Sequence, residues 1–195
     1  MLMDTTHGQD ALEADLLAAS AAGNQSAFER LYRLYEKRVY QYVYSLVYDA
    51  TLAEDIVGES MMAVWRGAGA FAGTSRVSTW IFGIARHKAL DTLRQTGRRQ
   101  REVDLDGAAD LPHPQDSPIT GVYRQETAAL IQRALAQLSR DHQEVLRLVF
   151  YEELPYEEIA TLLAIPVNTV KTRVYYAKQR LKEQWERLSQ KESPR

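Results

Sequence analysis

The chain has 195 residues, a formal net charge of −2, 45% hydrophobic residues and no cysteine. That apolar share supports packed cores and excludes a wholly disordered chain, while the length fits one larger domain or two small ones. A disulfide framework and a thiolate metal site are excluded, and no run reaches the ~18 apolar residues of a membrane span.

The segment Met1–Asp10 carries acids and lacks the basic start of a secretory signal. The expected location is therefore the cytoplasm, without direct membrane insertion. From Ala11 to Arg101 the pattern is helical. Apolar residues recur at three and four through Leu12 and Leu16, then Phe28, Leu31, Leu34 and Tyr35, then Val39, Tyr42, Val43, Leu46 and Val47. Gly23 closes the first helix, and Asn24 and Ser26 offer cap chemistry for the second. A third helix is expected from about Leu52 to Arg66. Gly67–Ser78 (GAGAFAGTSRVS) breaks the periodicity and is expected to be a loop. A fourth helix runs from Thr79 to about Gln95.

Composition then changes. Glu102–Gly121 holds three prolines, two glycines and five acids (Glu102, Asp104, Asp106, Asp110, Asp116), and reads as an extended or disordered linker. Periodicity resumes near Val122 and continues to about Leu188. No strand-like alternation of useful length appears. The expected fold class is all-α: two small helical domains, 11–101 and 122–188, joined by an acidic, proline-containing linker at 102–121.

The sharpest local signal is Tyr156–Leu181, YEEIATLLAIPVNTVKTRVYYAKQRL. It has the parts of a helix-turn-helix: a small residue in the first helix (Ala160), a tight turn four residues on (Ala164, where glycine is commoner), and branched residues that glue the helices (Ile159, Leu163, Ile165, Val170, Val174). Pro166 suits the start of the second helix, where a missing N–H costs nothing. Val170, Val174, Ala177 and Leu181 form one inward stripe. The other face carries Asn168, Thr169, Lys171, Thr172, Arg173, Tyr175, Tyr176, Lys178 and Gln179, the donors and cations that a DNA major groove accepts. Between Pro166 and Lys182 there are five bases and no acid, so the near-neutral total hides a basic face.

Two segments together resemble the extracytoplasmic-function group of sigma-70-type factors. AEDIVGESMMAVWR (Ala53–Arg66), a Gly-rich loop and VSTWIFGIARHKALDTLR (Val77–Arg94) resemble sigma domain two. LSRDHQEVLRLVFYEELPYEEIA with the helix after it is similar to sigma domain four. The resemblance implies an alternative RNA polymerase sigma subunit with only these two domains. Its implied partners are core polymerase (the β′ coiled coil and the β flap), promoter DNA and an anti-sigma factor.

The implied docking residues on the β′ side are Glu54, Asp55, Ile56, Glu59, Met62 and Trp65, with Ile56, Met62 and Trp65 also candidates for the domain core. The implied minus-ten residues are Phe71, Arg76, Ser78, Arg86, His87, Lys88, Arg98 and Arg99, around a loop that holds an extruded base. The family often has Asn where His87 stands. For the minus-thirty-five element the resemblance points to Asn168, Thr169, Lys171, Thr172, Tyr175 and Tyr176, and several relatives have a basic residue where Tyr176 stands. Arg173 and Lys178 are candidate DNA contacts on the same exposed face, where flanking cations would neutralise phosphates. The acidic linker resembles the family's connector toward the RNA exit path.

The competing reading is an autonomous helix-turn-helix regulator that footprints DNA without polymerase. An enzyme is not expected, and no cofactor or metal is implied. His7, His87, His113 and His142 are scattered. Glu152, Glu153, Glu157 and Glu158 flank Pro155 ahead of a helix, where acids suit the dipole. GAGAFAG lacks both the preceding strand and the Lys-Ser/Thr of a phosphate loop.

Overall fold

Every element in the computed structural model, which describes residues 3–103, 130–131 and 133–192, is a helix or a turn. The chain divides into two compact units between His113 and Pro114. The linker lies outside the described residues, apart from Glu102 and Val103, which still belong to the fourth helix.

The first unit contains α1 (Met3–Ala21), α2 (Gln25–Val47), α3 (Ala50–Gly67), a single 3-10 turn (Ala68–Ala70) and α4 (Val77–Val103). The side chain of Asn24 accepts from Ala27 N at 3.1 Å and starts α2. That of Asp49 accepts from Leu52 N at 2.9 Å and starts α3. Both are caps that satisfy amides with no intrahelical partner. The stripe predicted on α2 faces inward: Leu31, Tyr35, Val39, Tyr42 and Val43 are wholly buried. They meet Ile56, Val57, Met61 and Val64 of α3 and Ile81, Phe82, Ala85 and Ala89 of α4 in the core. Phe82 sits edge-on to Tyr42 at 5.3 Å and to Tyr35 at 6.3 Å, the offset geometry aromatic quadrupoles favour.

In the first unit, helix limits differ most from the periodicity at three places. α1 begins at Met3, eight residues before Ala11, because Met3–Asp10 is helical with no apolar stripe to betray it. α4 starts at Val77 rather than Thr79, with the Trp80 amide bonded to the Arg76 carbonyl at 3.2 Å, so Ser78 lies in the helix and the loop is shorter than expected. The buried Val77 draws that first turn inward. α4 also continues past Gln95 to Val103, through a polar stretch that periodicity cannot read.

The second unit contains a helical segment α5 (residues 130–131 and 133–136), α6 (Arg140–Phe150), α7 (Tyr156–Leu163) and α8 (Val167–Glu192). Its core is Ala134, Val145, Leu148, Ile159, Val170 and Ala177, all fully buried, with Val174, Leu154 and Leu163 close behind. α7 ends as the motif requires. Ala164 takes the left-handed conformation (φ 55, ψ 46), its N–H bonds Thr161 O, and Ile165 N–H bonds Ala160 O at 3.0 Å. That double bond closes the helix and turns the chain into α8. Pro166 precedes α8 rather than lying in it, and its carbonyl takes the Thr169 and Val170 amides. Glu157 and Glu158 lie in the first turn of α7 as the dipole argument expects, but Glu152 is buried with Arg147 3.9 Å away.

Candidate nucleic-acid interface

The first half of α8 exposes one face because its other face is locked. Val170, Val174 and Ala177 are buried, and helical spacing then turns Asn168, Thr172, Tyr175, Tyr176 and Gln179 to solvent, with Lys171 on one flank. Tyr175 and Tyr176 are 59% and 55% exposed, unusual for tyrosine, and meet edge to face at 5.4 Å. Thr169 is half-buried beside the turn. Two predicted contacts are differently engaged. Arg173 is half-buried and pairs with Asp141 of α6 at 2.8 Å, tying two helices together. Lys178 leans over the Phe150 ring at 4.9 Å, away from the polar face. Electrostatic attraction to the ring quadrupole explains its place: Phe150 is 54% exposed, and an ammonium over its face gains what water alone does not supply.

The predicted minus-ten residues gather around the 71–76 loop and α4, with one clear exception. Phe71 lies against Trp80 at 5.1 Å, and a side chain at Gly67 would meet that indole at 3.3 Å. Arg76 pairs with Asp10 of α1 at 3.3 Å. Farther along α4, Arg86 is half-buried, His87 is exposed with Nε2 3.1 Å from Asp91, and Lys88 reaches Glu59 of α3 at 3.0 Å. Ser78 is the correction: it is 5% exposed and turned into the core, so it offers no surface to a base. Arg98 and Arg99 lie in α4, but their side chains fall outside the described residues.

On α3 the predicted acids Glu54, Asp55 and Glu59 are exposed, with Met62 47% exposed on the same side and Gly58 leaving open space between them. Ile56 is corrected: at 2% exposure it is core and cannot dock a partner. Trp65 is half-buried against Phe28 at 4.9 Å and serves the packing of α2 on α3.

Two features escaped the sequence reading. The first is a buried polar knot. Glu13 of α1, 2% exposed, accepts a short hydrogen bond from the Tyr35 hydroxyl, Arg38 approaches its other oxygen at 3.6 Å, and Ser78 hydrogen-bonds the Tyr35 oxygen. The Arg38 guanidinium also lies over the Tyr35 and Phe82 rings. A buried carboxylate is costly unless so satisfied. Burial, and then the Glu13 carboxylate beside it, push the Tyr35 phenol far above the ordinary tyrosine range. The only sequence signal was an acid three and four residues ahead of Leu16 and Leu17, inside an apolar stripe.

The second is an apolar groove of about 510 Å³ in the second unit, lined by Ile131, Leu135, Leu146, Phe150, Tyr151 and Trp185, with Lys178 and Lys182 also on its lining. Phe150 and Tyr151 signalled it, as paired aromatics at the open end of α6. Among the described residues no group of acids, histidines or cysteines is placed to hold a metal, and no helix is long and apolar enough to cross a membrane.

Comparison with known proteins adds independent findings. Residues 31–99 match sigma-70 region 2, and residues 128–181 match sigma-70 region 4. RNA polymerase sigma-H factor of Pseudomonas aeruginosa is 31% identical over 165 residues, covering 80% of this chain and 85% of that one. ECF RNA polymerase sigma factor SigL of Mycobacterium tuberculosis is 30% identical over 162 residues, covering 83% and 90%. Among solved structures, the sigma factor RpoE in complex with the anti-sigma factor NepR, from Bartonella quintana, superposes with a TM-score of 0.64 at 25% identity over 82% of this chain and 96% of that one. CnrH in complex with the cytosolic domain of CnrY shares the fold, with a TM-score of 0.63 at 22% identity over 93% and 99%.

Proposed function

Because the chain belongs to the extracytoplasmic-function group of the sigma-70 family, and is thus an alternative sigma factor of RNA polymerase, we propose a division of labour between its two units. The second unit reads the minus-thirty-five element and the first docks on polymerase and opens the minus-ten element. The observation that carries the reading is the outward stripe of α8: Asn168, Thr172, Tyr175, Tyr176 and Gln179 aligned over a buried Val170–Val174–Ala177 stripe, with Lys171 beside it. Such a face places donors and acceptors at base edges, while Lys171 at its flank neutralises phosphate.

In the first unit, the exposed acids Glu54 and Asp55 with Met62 suit a partner surface of basic and apolar groups, the chemistry expected of the β′ coiled coil. Phe71 and Arg76, with Arg86, His87 and Lys88 on α4, are the groups proposed to meet the opened strand. Lys88 pairs with Glu59 at the surface, where an ion pair is worth little, so a phosphate can compete for its ammonium. Ser78 and Ile56 have no place in either interface. Arg98 and Arg99 remain proposed for duplex phosphates upstream.

The groove of the second unit suits an amphipathic partner helix whose acids face Lys178 and Lys182. On the active polymerase that helix belongs to the β flap. An anti-sigma factor, of the kind bound to the RpoE relative, would silence the protein by covering the same face.

Run-off transcription with core polymerase, with and without the protein, tests the whole. New start sites that need the protein, without a footprint by the protein alone, are the expected result. A footprint in the absence of polymerase and no new starts would establish an autonomous regulator instead.

A further inference from the structure

The 71–76 loop cannot arrange itself. From Ala68 to Ser75 the chain reads AGAFAGTS, with one large side chain, and Gly73 occupies the left-handed region (φ 69). A surface that must receive an extruded base works best when it is set beforehand. What sets this one comes from outside it, and from a helix that precedes the span matching sigma-70 region 2.

One face of α1 reaches both ends of the loop. At the near end the 3-10 turn packs against α1 with Ala68 buried. At the far end Asp10 holds Arg76 at 3.3 Å, one residue before α4 begins. Three residues along α1, Glu13 accepts from Tyr35, whose oxygen is in turn bonded by Ser78 in the first turn of α4. Arg38 closes the cluster from below, stacked on Tyr35 and Phe82. A chain of contacts therefore runs from α1 through α2 to the first turn of α4, and every side chain in it except Arg38, Arg76 and Asp10 is buried.

We propose that α1 is the brace of the promoter-opening loop, with Glu13 and Asp10 as positioning residues that act through Tyr35, Ser78 and Arg76. The proposal rests on the reading of that loop as the minus-ten element's site. The brace fixes the angle at which the loop enters α4, and so presents Phe71, Arg76 and the exposed edge of α4 as one surface. Loosening it costs promoter opening rather than polymerase docking.

The test uses the full chain and two variants. Tyr35→Phe removes the hydroxyl that links Glu13 to Ser78 and keeps the ring. Asp10→Asn breaks the second contact at an accessible position where folding is not at risk. Amide exchange of residues 71–79 in the free protein reads the brace without DNA. The expected result is faster exchange confined to that segment, roughly tenfold for Tyr35→Phe and two- to threefold for Asp10→Asn. With core polymerase, run-off from a duplex promoter should fall in the same order, and a template already melted across the minus-ten element should restore it.

Unchanged exchange at 71–79 in both variants overturns the proposal. So does exchange raised evenly over α1–α4, which marks the knot as a stability element only. Faster loop exchange with undiminished opening overturns the link to the promoter. Wild-type protein that opens no promoter removes the premise, and is told apart from a failed brace because the exchange measurement needs no DNA.

Discussion

The two units solve the problem of a small helical core in opposite ways. The first closes its interior with large aromatics and spends a carboxylate, a phenol, a guanidinium and a hydroxyl on a knot that joins α1, α2 and α4. The second is thinner. Among the described residues its fully buried side chains are alanine, valine, leucine and isoleucine, and it leaves Phe150, Tyr151, Leu181 and Trp185 along an open groove. Small domains bury a smaller share of their surface and have less margin. A closed unit with a fixed internal geometry suits a task of positioning, and an open one suits a task completed by a partner.

The contrast is sharpened most by a charge placed in the thin core. Val174, 2% exposed, lies on the buried stripe of α8, which packs on α6 and α7. Val174→Asp leaves an unpaired carboxylate there, at a cost of about 4 kcal/mol or more, against a stability of only about 5 kcal/mol for a small domain. The second unit should lose its amide protection while α1–α4 keep theirs, and transcription should fail with polymerase docking retained. Equal loss in both units would show that they fold as one.

A smaller effect is expected at the groove. Phe150→Glu alters a residue 54% exposed, so folding should shift by about 0.5 kcal/mol or less, apart from the lost contact with Lys178. Partner binding should weaken by about 2 kcal/mol, roughly thirtyfold, as for an aromatic anchor. Titration of the purified chain with the polymerase flap segment measures it. If the variant melts the unit instead, the groove is part of the core and the contrast fails.

The helix-turn-helix was legible because each of its parts has a local signature. Ala160, Ala164 and the Val170–Val174–Ala177 stripe take the places that spacing predicts. Legibility ended where contacts are distant or where two roles share one signal. Ile56 and Met62 both read as apolar positions of α3, yet one is core and the other 47% exposed, and six residues of helix separate the two faces. Ser78 looked like a loop residue because its partner is Tyr35, on another helix. Glu13 and Tyr35 are 22 residues apart, and nothing in either neighbourhood names the other. Lys178 followed the basic pattern of α8 but is drawn to an aromatic that the pattern does not contain.

The knot also separates the units by pH. Burial first, and the Glu13 carboxylate second, raise the Tyr35 phenol's proton affinity in the folded state. Below pH 10 both folded and unfolded states carry the proton, and the contribution is fully present. Above pH 10 the unfolded chain releases it and the folded one does not, so stability falls as pH rises. From an unfolded tyrosine near pH 10, the loss at pH 11 is about 1.4 kcal/mol. Thermal unfolding of the first unit at pH 8 and pH 11 should show this loss in the wild type and lack it in Tyr35→Phe.

The smallest effect belongs to two non-glycine residues that end helices in the left-handed conformation, one in each unit. Ala164 (φ 55) and Tyr48 (φ 55) share a backbone conformation that costs an L-residue roughly 1–2 kcal/mol and glycine little. Ala164 is exposed and its side chain is one methyl, so Ala164→Gly relieves strain and loses almost no packing. The extra freedom of glycine in the unfolded chain offsets part of that, about 0.5–1 kcal/mol, leaving a net gain of about 0.5 kcal/mol. The second unit's midpoint should rise by about 2–4 °C. Tyr48→Gly relieves the same strain but strips a half-buried ring from the α2–α3 junction, so the first unit should lose stability. Opposite signs at matched geometry would show that packing sets the margin of the first unit and backbone strain that of the second. A fall in both would place the Ala164 methyl against a neighbour and bring the two units back to one rule.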